Sequence, residues 1–415
     1  MSGWNRREFV RASSSFAALG LGGNRWDTQT PQSSSILDPW KPGLLDIHHI
    51  NTGRGNSTLI ITPDGTSLLV DAGAAAPSGP AVNAARPDES RRPGEWIGRY
   101  AARQLQAAGR AGLDYALMTH LHGDHVGEIS AQSPPSKRGD YRLTGISDVA
   151  EVISIRKLID RGFPEYSDPA RITDASGLNY IAFARSAASQ GTQAELATPG
   201  KQVGLKYAPE RYPSCGARIL SCNGRIWTGA AEESKAMFPP KAPEIEPLSE
   251  NSCSIALRLK YGSFSYFTGG DLNCDTNYGR DKWRDVESAV AAVAGPVSVS
   301  TCNHHGYFDA NGPDFVRALR ARVWILQTWH ASHPAISVLA NLYSQQLYPG
   351  PRDVFCLGLH PAAALVCGRF CANFKSSQGH VLVRVAPGGA EYTVAVLDDS
   401  DERDRVKAVF GPYPS

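Results

Sequence analysis

The chain predicts a mixed α/β fold, and three observations carry that expectation. Each half opens with a hairpin of short apolar runs and continues into a segment with helical spacing. The runs are bounded by Gly, Pro and Asp, the residues that turn a chain between strands. Several of them end in Asp or His, side chains that a buried strand end does not ask for on packing grounds.

Taken in order, the N-terminus reads first as an address. Asn5-Arg6-Arg7-Glu8-Phe9-Val10-Arg11 precedes an Ala/Ser/Gly-rich stretch from Ala12 to Gly23, which resembles a bacterial twin-arginine (Tat) export signal. That assigns residues 1–30 to export and 31–43 to a Ser/Pro/Gln-rich linker, and places the protein in the periplasm or outside the cell. The folded domain is expected over 44–400, with 401–415 as a C-terminal tail. Leu44 to Ile50, Ser57 to Ile61 and Ser67 to Val70 read as antiparallel strands. Residues 74–94 read as a surface loop. Glu95 to Ala108 reads as a helix with Trp96, Tyr100 and Leu105 inward. Tyr115 to Met118 is a buried strand. Residues 129–250, broken by Pro, Gly and Ser, read as an insertion that walls a substrate cleft.

The second half is regular again. Ser254 to Lys260 and Ser263 to Thr268 form a hairpin across Tyr261-Gly262, and Trp283 to Val293 is helical. Val297 to Thr301 and Val323 to Thr328 are strands, Pro313 to Arg320 and Ala335 to Gln346 helices, and His380 to Val385 and Tyr392 to Leu397 close the sheet. Pro313 suits the first turn of its helix.

Composition bounds the function. With 42% hydrophobic residues and a net charge of +2, the chain can bury a large core and has no long basic run that demands nucleic acid. Arg86, Arg91, Arg92, Arg99 and Arg103 could line a basic cleft or simply face water. No apolar stretch long enough for a transmembrane helix follows the N-terminus. The eight cysteines contain no C-x-x-C pair. Cys215 with Cys222, and Cys367 with Cys371, are the pairs that spacing would allow to join or to pack.

The densest chemistry lies in Met118-Thr119-His120-Leu121-His122-Gly123-Asp124-His125. Three imidazoles and a carboxylate at the mouth of one strand are metal ligands by type and can serve two ions. His120 and His122 reach one; Asp124 and His125 reach the other. Asp271 ends the run Phe264 to Thr268 after Gly269-Gly270, and Asn303-His304-His305-Gly306 follows a strand in the same way.

This H-x-H-x-D-H pattern resembles the metallo-β-lactamase superfamily. The resemblance implies a four-layer αββα sandwich, here with a long insertion, and a metal site at one edge. His122 stands where the di-iron, oxygen-reducing branch has Glu, which implies hydrolysis. Asp271 would bridge two metals. His305 matches the last ligand, with His304 as the alternative. Asp71 would hydrogen-bond the histidine loop rather than bind metal. The succession Gly53-Arg54-Gly55-Asn56-Ser57, Asp64-Gly65, Asn251-Ser252, Thr268-Gly269-Gly270-Asp271, His304-His305-Gly306 and His333-Pro334 is similar to the metallo-β-lactamase domain of DNA-uptake (competence) channel proteins. Asn251 is expected beside the ligands. Asn51 and Asn56 replace acids of that branch, and no separate His supplies a third ligand to the first ion.

The resemblance implies a dinuclear zinc (or manganese) phosphodiesterase that uses a metal-bound hydroxide. Asp124 or Asp271 would orient the nucleophile, and His333 or His304 would give a proton to the leaving group or hydrogen-bond a phosphoryl oxygen. The competing expectations are a lactone or β-lactam hydrolase, a metal-binding scaffold without turnover, and a mononuclear iron oxygenase.

Overall fold

A computed structural model describes residues 35–77, 79–240, 248–274 and 280–415. The chain divides into residues 1–31 and 32–415, and all described residues lie in the second unit. The export signal lies outside the described residues. Among the described residues no helix is long and apolar enough to cross a membrane.

Two sheets form the centre. In the first, the strands are β1 (Leu45–His49), β2 (Thr58–Ile61), β3 (Ser67–Val70), β4 (Gly112–Leu117), β5 (Ser154–Asp160) and β6 (Gln193–Leu196). They continue past β1 into β16 (His380–Val385), β17 (Glu391–Leu397) and β18 (Val406–Pro414), in the order β18-β17-β16-β1-β2-β3-β4-β5-β6. The second sheet runs β10 (Ser234–Ala236), β9 (Arg225–Trp227), β8 (Cys215–Cys222), β11 (Ala256–Tyr261), β12 (Phe264–Thr268), β13 (Val299–Thr301), β14 (Val323–Leu326) and β15 (Asp353–Cys356), with β7 (Gln202–Val203) also on β8.

Each sheet is antiparallel up to a hairpin and then parallel. The β2–β3 hairpin leads through the helix Pro93–Ala107 to β4, which pairs parallel with β3. The β11–β12 hairpin leads through the helix Val286–Ala294 to β13, parallel to β12. The two halves therefore repeat one plan, as the hairpin-then-helix pattern predicts.

Side-chain alternation builds the layers. Leu68 and Val70 of β3 join Leu257, Leu259 and Tyr266 in a core between the sheets. Leu69, between them, points the other way and packs with Ile97, Tyr100 and Leu105 of the helix. In the second sheet Tyr266 faces the inner core while Phe267 joins Val290, Phe315 and Leu339 on the outer helices. The result is helix, sheet, sheet, helix. Strands such as Val323–Leu326 are buried along their whole length and read as continuous apolar runs, as parallel strands do.

Three expectations change. Residues 129–250, read as a cleft wall, are largely built into the scaffold: β5, β6 and the helix Ala175–Ser189 extend the first sheet, and β7 to β10 edge the second. Residues 401–415, read as a tail, contain the edge strand β18, whose Phe410 is buried. Trp96, read as inward, lies partly exposed between Arg91 and Arg99; Ile97 takes the core position one residue on. Three of the five arginines read as a basic cleft are ion-paired. Arg92 pairs with Asp148, Arg99 with Glu402, and Arg103 with Glu402 and Asp404. All eight cysteines are free thiols, so neither suggested pair is joined.

The fold matters for chemistry because Asp71, the 119–125 loop, Asp271, the 303–306 turn and the 329–334 loop all follow the C-terminal ends of parallel-paired strands. That rim is where α/β sheets place ligands.

Candidate metal centre

Asp71 follows β3 with φ 61°, a left-handed conformation that Asp tolerates better than most residues. Its carboxylate accepts hydrogen bonds from Thr119 N (2.7 Å) and Thr119 Oγ1 (2.8 Å) and faces His125 Nδ1 at 2.8 Å. This fixes which ring nitrogen of His125 faces inward: Nε2. The backbone around Asp124 is packed so closely that a Cβ on Gly73 would lie 2.0 Å from the Asp124 carbonyl oxygen, and one on Gly55 2.2 Å. Only glycine fits there. The same carbonyl accepts a hydrogen bond from Asn56 N at 2.9 Å.

Four side chains converge on one point. Ligand-type atoms of Asp124, His125, Asp271 and His305 all lie within 4.8 Å of one another. His305 Nε2 is 2.8 Å from Asp124 Oδ2 and 3.4 Å from Asp271 Oδ2. His125 Nε2 and Asp271 Oδ1 face each other 3.0 Å apart, both buried, and neither has another hydrogen-bond partner. Two buried ligand-type atoms that have only each other at hydrogen-bond distance are placed to share a cation. His120 sits alongside, its Nε2 3.8 Å from Asp271 Oδ2 and 3.1 Å from His122 Nδ1.

The structure therefore gathers His120, His122, Asp124, His125, Asp271 and His305 at one edge. His305, not His304, enters the tight cluster. Asn56 Oδ1 (3.0 Å) and the Gln327 carbonyl (3.2 Å) receive its Nδ1–H. His304 turns its Nδ1 to Asp309 at 2.7 Å and leaves Nε2 3.3 Å from the Asn251 amide and 3.7 Å from Asp271. His333 stacks on His305, with ring centroids 4.9 Å apart, and its Nδ1 is buried without a partner. Asp309 and Trp329, whose ring lies 5.8 Å from that of His305, carry no signal in sequence that ties them to the site, whereas Asn56 stands in the Gly53 to Ser57 run of the resemblance.

Charge explains how such a cluster survives burial. Burial alone would raise the Asp124 and Asp271 carboxyls, but His125 and His305 outweigh it and hold both below the ordinary range. Burial likewise opposes protonation of His305, yet the Asp271 and Asp124 carboxylates lift it to about 9. His125 is raised by Asp271, Asp71 and Asp124 against the same burial, whereas burial beside His125 lowers His120.

In the metal-free protein two imidazolium protons thus stand in for cations. A metal must displace them. Zinc uptake at pH 7 is expected to release about two protons per cluster, and affinity should climb with pH up to about 9. Calorimetric titrations in buffers of different ionisation enthalpy would read this; heats independent of buffer contradict it. The same shift stabilises the metal-free fold fully below 6.5, the ordinary His305 value, and is lost as pH rises through about 9.

Comparison with known proteins agrees with this geometry. No curated protein matches the chain. A crystal structure of a protein of unknown function from Enterococcus faecalis V583 aligns over 77% of this chain and 73% of that chain, at 8% identity and a TM-score of 0.30, a likeness too slight to argue from. Residues 50–131, which hold Asp71, His120, His122, Asp124 and His125, match the family model described as Metallo-beta-lactamase superfamily. That stretch is therefore similar to the metallo-β-lactamase superfamily, and the two layered sheets around it are consistent with a sandwich of that kind.

Proposed function

We propose that the protein is an exported, metal-dependent hydrolase that cleaves a phosphodiester. The observation that carries the hydrolase reading is the convergence of Asp124, His125, Asp271 and His305, with His125 Nε2 and Asp271 Oδ1 buried 3.0 Å apart and without another hydrogen-bond partner. Neutral imidazole and carboxylate at this density fit a borderline ion such as zinc, with manganese as the alternative. Asp124, His125, Asp271 and His305 would hold one ion. His120 and His122, with Asp271 between the two groups, would hold the second. When bound, such ions supply Lewis acidity and lower the pKa of water at the site toward about 7.

The chain's own residues do the rest. Asp271 lies among four imidazoles and orients the attacking water from the centre of the site. Asp71 keeps the His125 ring in one tautomer. His304 is held by Asp309 through Nδ1, which presents Nε2 to the site for proton transfer to the leaving-group oxygen. Burial, with His305 and His304 nearby, keeps His333 neutral. Its unpaired Nδ1 suits a hydrogen bond to a phosphoryl oxygen. The phosphodiester rests on the likeness to DNA-uptake channel proteins over the Gly53 to His333 motif succession. The paired arginines around the helix Pro93–Ala107 weigh against a long nucleic acid.

Zinc-loaded protein is expected to release nitrophenolate from bis-p-nitrophenyl phosphate, faster than it opens a lactone or a β-lactam, and to stop when a chelator is added. Preference for either cyclic substrate would overturn the phosphodiester, and silence on all three would overturn the hydrolase. Export rests on Arg6-Arg7. Arg6→Lys with Arg7→Lys should leave the protein in the cytoplasm, and continued appearance in the periplasm would rule the signal out.

A further inference from the structure

Arg161, the residue that follows β5, has a fully buried guanidinium. Its Nε donates to Glu250 Oε1 at 2.6 Å, and Nη2 pairs with Glu250 Oε2 and donates to the Ala170 carbonyl at 3.1 Å. Asn223 Nδ2 in turn donates to the Arg161 carbonyl at 2.7 Å. This cation is fully occupied, so it is not a waiting anion site. What matters is where its partner reaches. Glu250 Oε1 also accepts the backbone N–H of Leu121 at 2.9 Å. Leu121 is the residue between His120 and His122.

Stability alone is a weak reason for such a pair. Removing two charges from water is costly, and apolar residues of similar volume often serve as well or better. A buried ion pair is better understood here by what it fixes. Glu250 pins the one amide between two imidazoles whose nitrogens, His120 Nε2 and His122 Nδ1, converge to 3.1 Å. Ligand distances tolerate only about 0.2 Å of error, so a turn free to shift would lose the shared ion.

We propose that Glu250, held by Arg161, is a positioning residue that sets the His120–His122 turn so that both rings meet one ion. This rests on the reading that those two histidines share a metal. It concerns the half of the site outside the Asp124, His125, Asp271 and His305 cluster, and it predicts that the two halves can be uncoupled.

The test is a cobalt(II) titration of metal-free full-length protein, followed by its visible absorption. It compares wild type with Arg161→Met/Glu250→Met, which replaces the pair by apolar side chains, and with Arg161→Met/Glu250→Gln, which restores an acceptor for the Leu121 amide without the charges. The Met/Met variant should bind the second cobalt about 10–100-fold more weakly, with the first equivalent and its spectrum unchanged. The Met/Gln variant should recover most of that loss. A purely structural pair would instead lower the melting temperature and leave both cobalt affinities equal across the variants, which would overturn the proposal. Should Met/Met not fold, Glu250→Asp keeps the charge but draws the carboxylate back by one methylene, and it should show the same selective weakening. Wild type that binds two ions while all variants bind both as tightly refutes the positioning role alone. Wild type that binds none refutes it together with the metal site it serves.

Discussion

Asp271→Asn is expected to lower kcat/KM by about 1,000-fold or more, equivalent to roughly 4 kcal/mol of transition-state stabilisation, and to reduce the metal content of the purified protein. Asn has the same shape, so the fold should persist. The charge is what disappears. Asp271 is 2% exposed and approaches His125 at 3.0 Å, His305 at 3.4 Å, His304 at 3.7 Å and His120 at 3.8 Å. Among the described residues Asp124 also reaches His125 and His305, at 3.8 and 2.8 Å, but Asp271 reaches four rings. An amide offers one neutral oxygen, so both halves of the site lose a shared anionic ligand. Metal analysis beside steady-state kinetics reads the result. A variant that keeps two ions and a tenth of the activity would show that Asp271 is not the centre of the site.

Asp71→Ala should act on both stability and metal. The carboxylate is buried and accepts from Thr119 N and Thr119 Oγ1 while orienting His125. Truncation leaves a buried amide without a partner and frees the His125 ring. The cost is expected at about 3 kcal/mol for the lost charged hydrogen bonds, and the φ of 61° adds to it, since Ala tolerates that conformation poorly. Metal affinity should fall about 10–100-fold. Asp71→Asn, which keeps an acceptor and accepts the left-handed backbone, should recover most of the stability but not the His125 tautomer. Urea unfolding with parallel metal titration separates the two effects. Equal metal affinity in Asp71→Ala and wild type would remove Asp71 from the site.

The contrast between these residues and Glu250 shows what a sequence carries. Asp71, His120 to His125, Asp271 and His305 each follow an apolar run directly. A strand that ends in a ligand-type residue is visible without any knowledge of tertiary structure. Glu250 and Arg161 lie far along the chain from His120 and His122, and only packing brings them to that turn. The same logic explains the missed strands. β6, Gln193–Leu196, is a polar edge with no fully buried residue, so it lacks the alternation that marks a strand. β18 contains Gly411 and Pro412 and reads as a tail, yet an edge strand tolerates proline because one side of its backbone has no partner. β15 is four residues long and follows Pro349-Gly350-Pro351, which hides it among turn signals.

Anomalous X-ray scattering at the zinc edge, from crystals of zinc-loaded protein, tests the central claim most directly. Two peaks are expected: one among Asp124, His125, Asp271 and His305, the other against His120 and His122, with Asp271 within ligand distance of both. A peak elsewhere in the protein, or none at this rim after loading, would contradict the assignment of this edge as a metal-dependent hydrolytic centre.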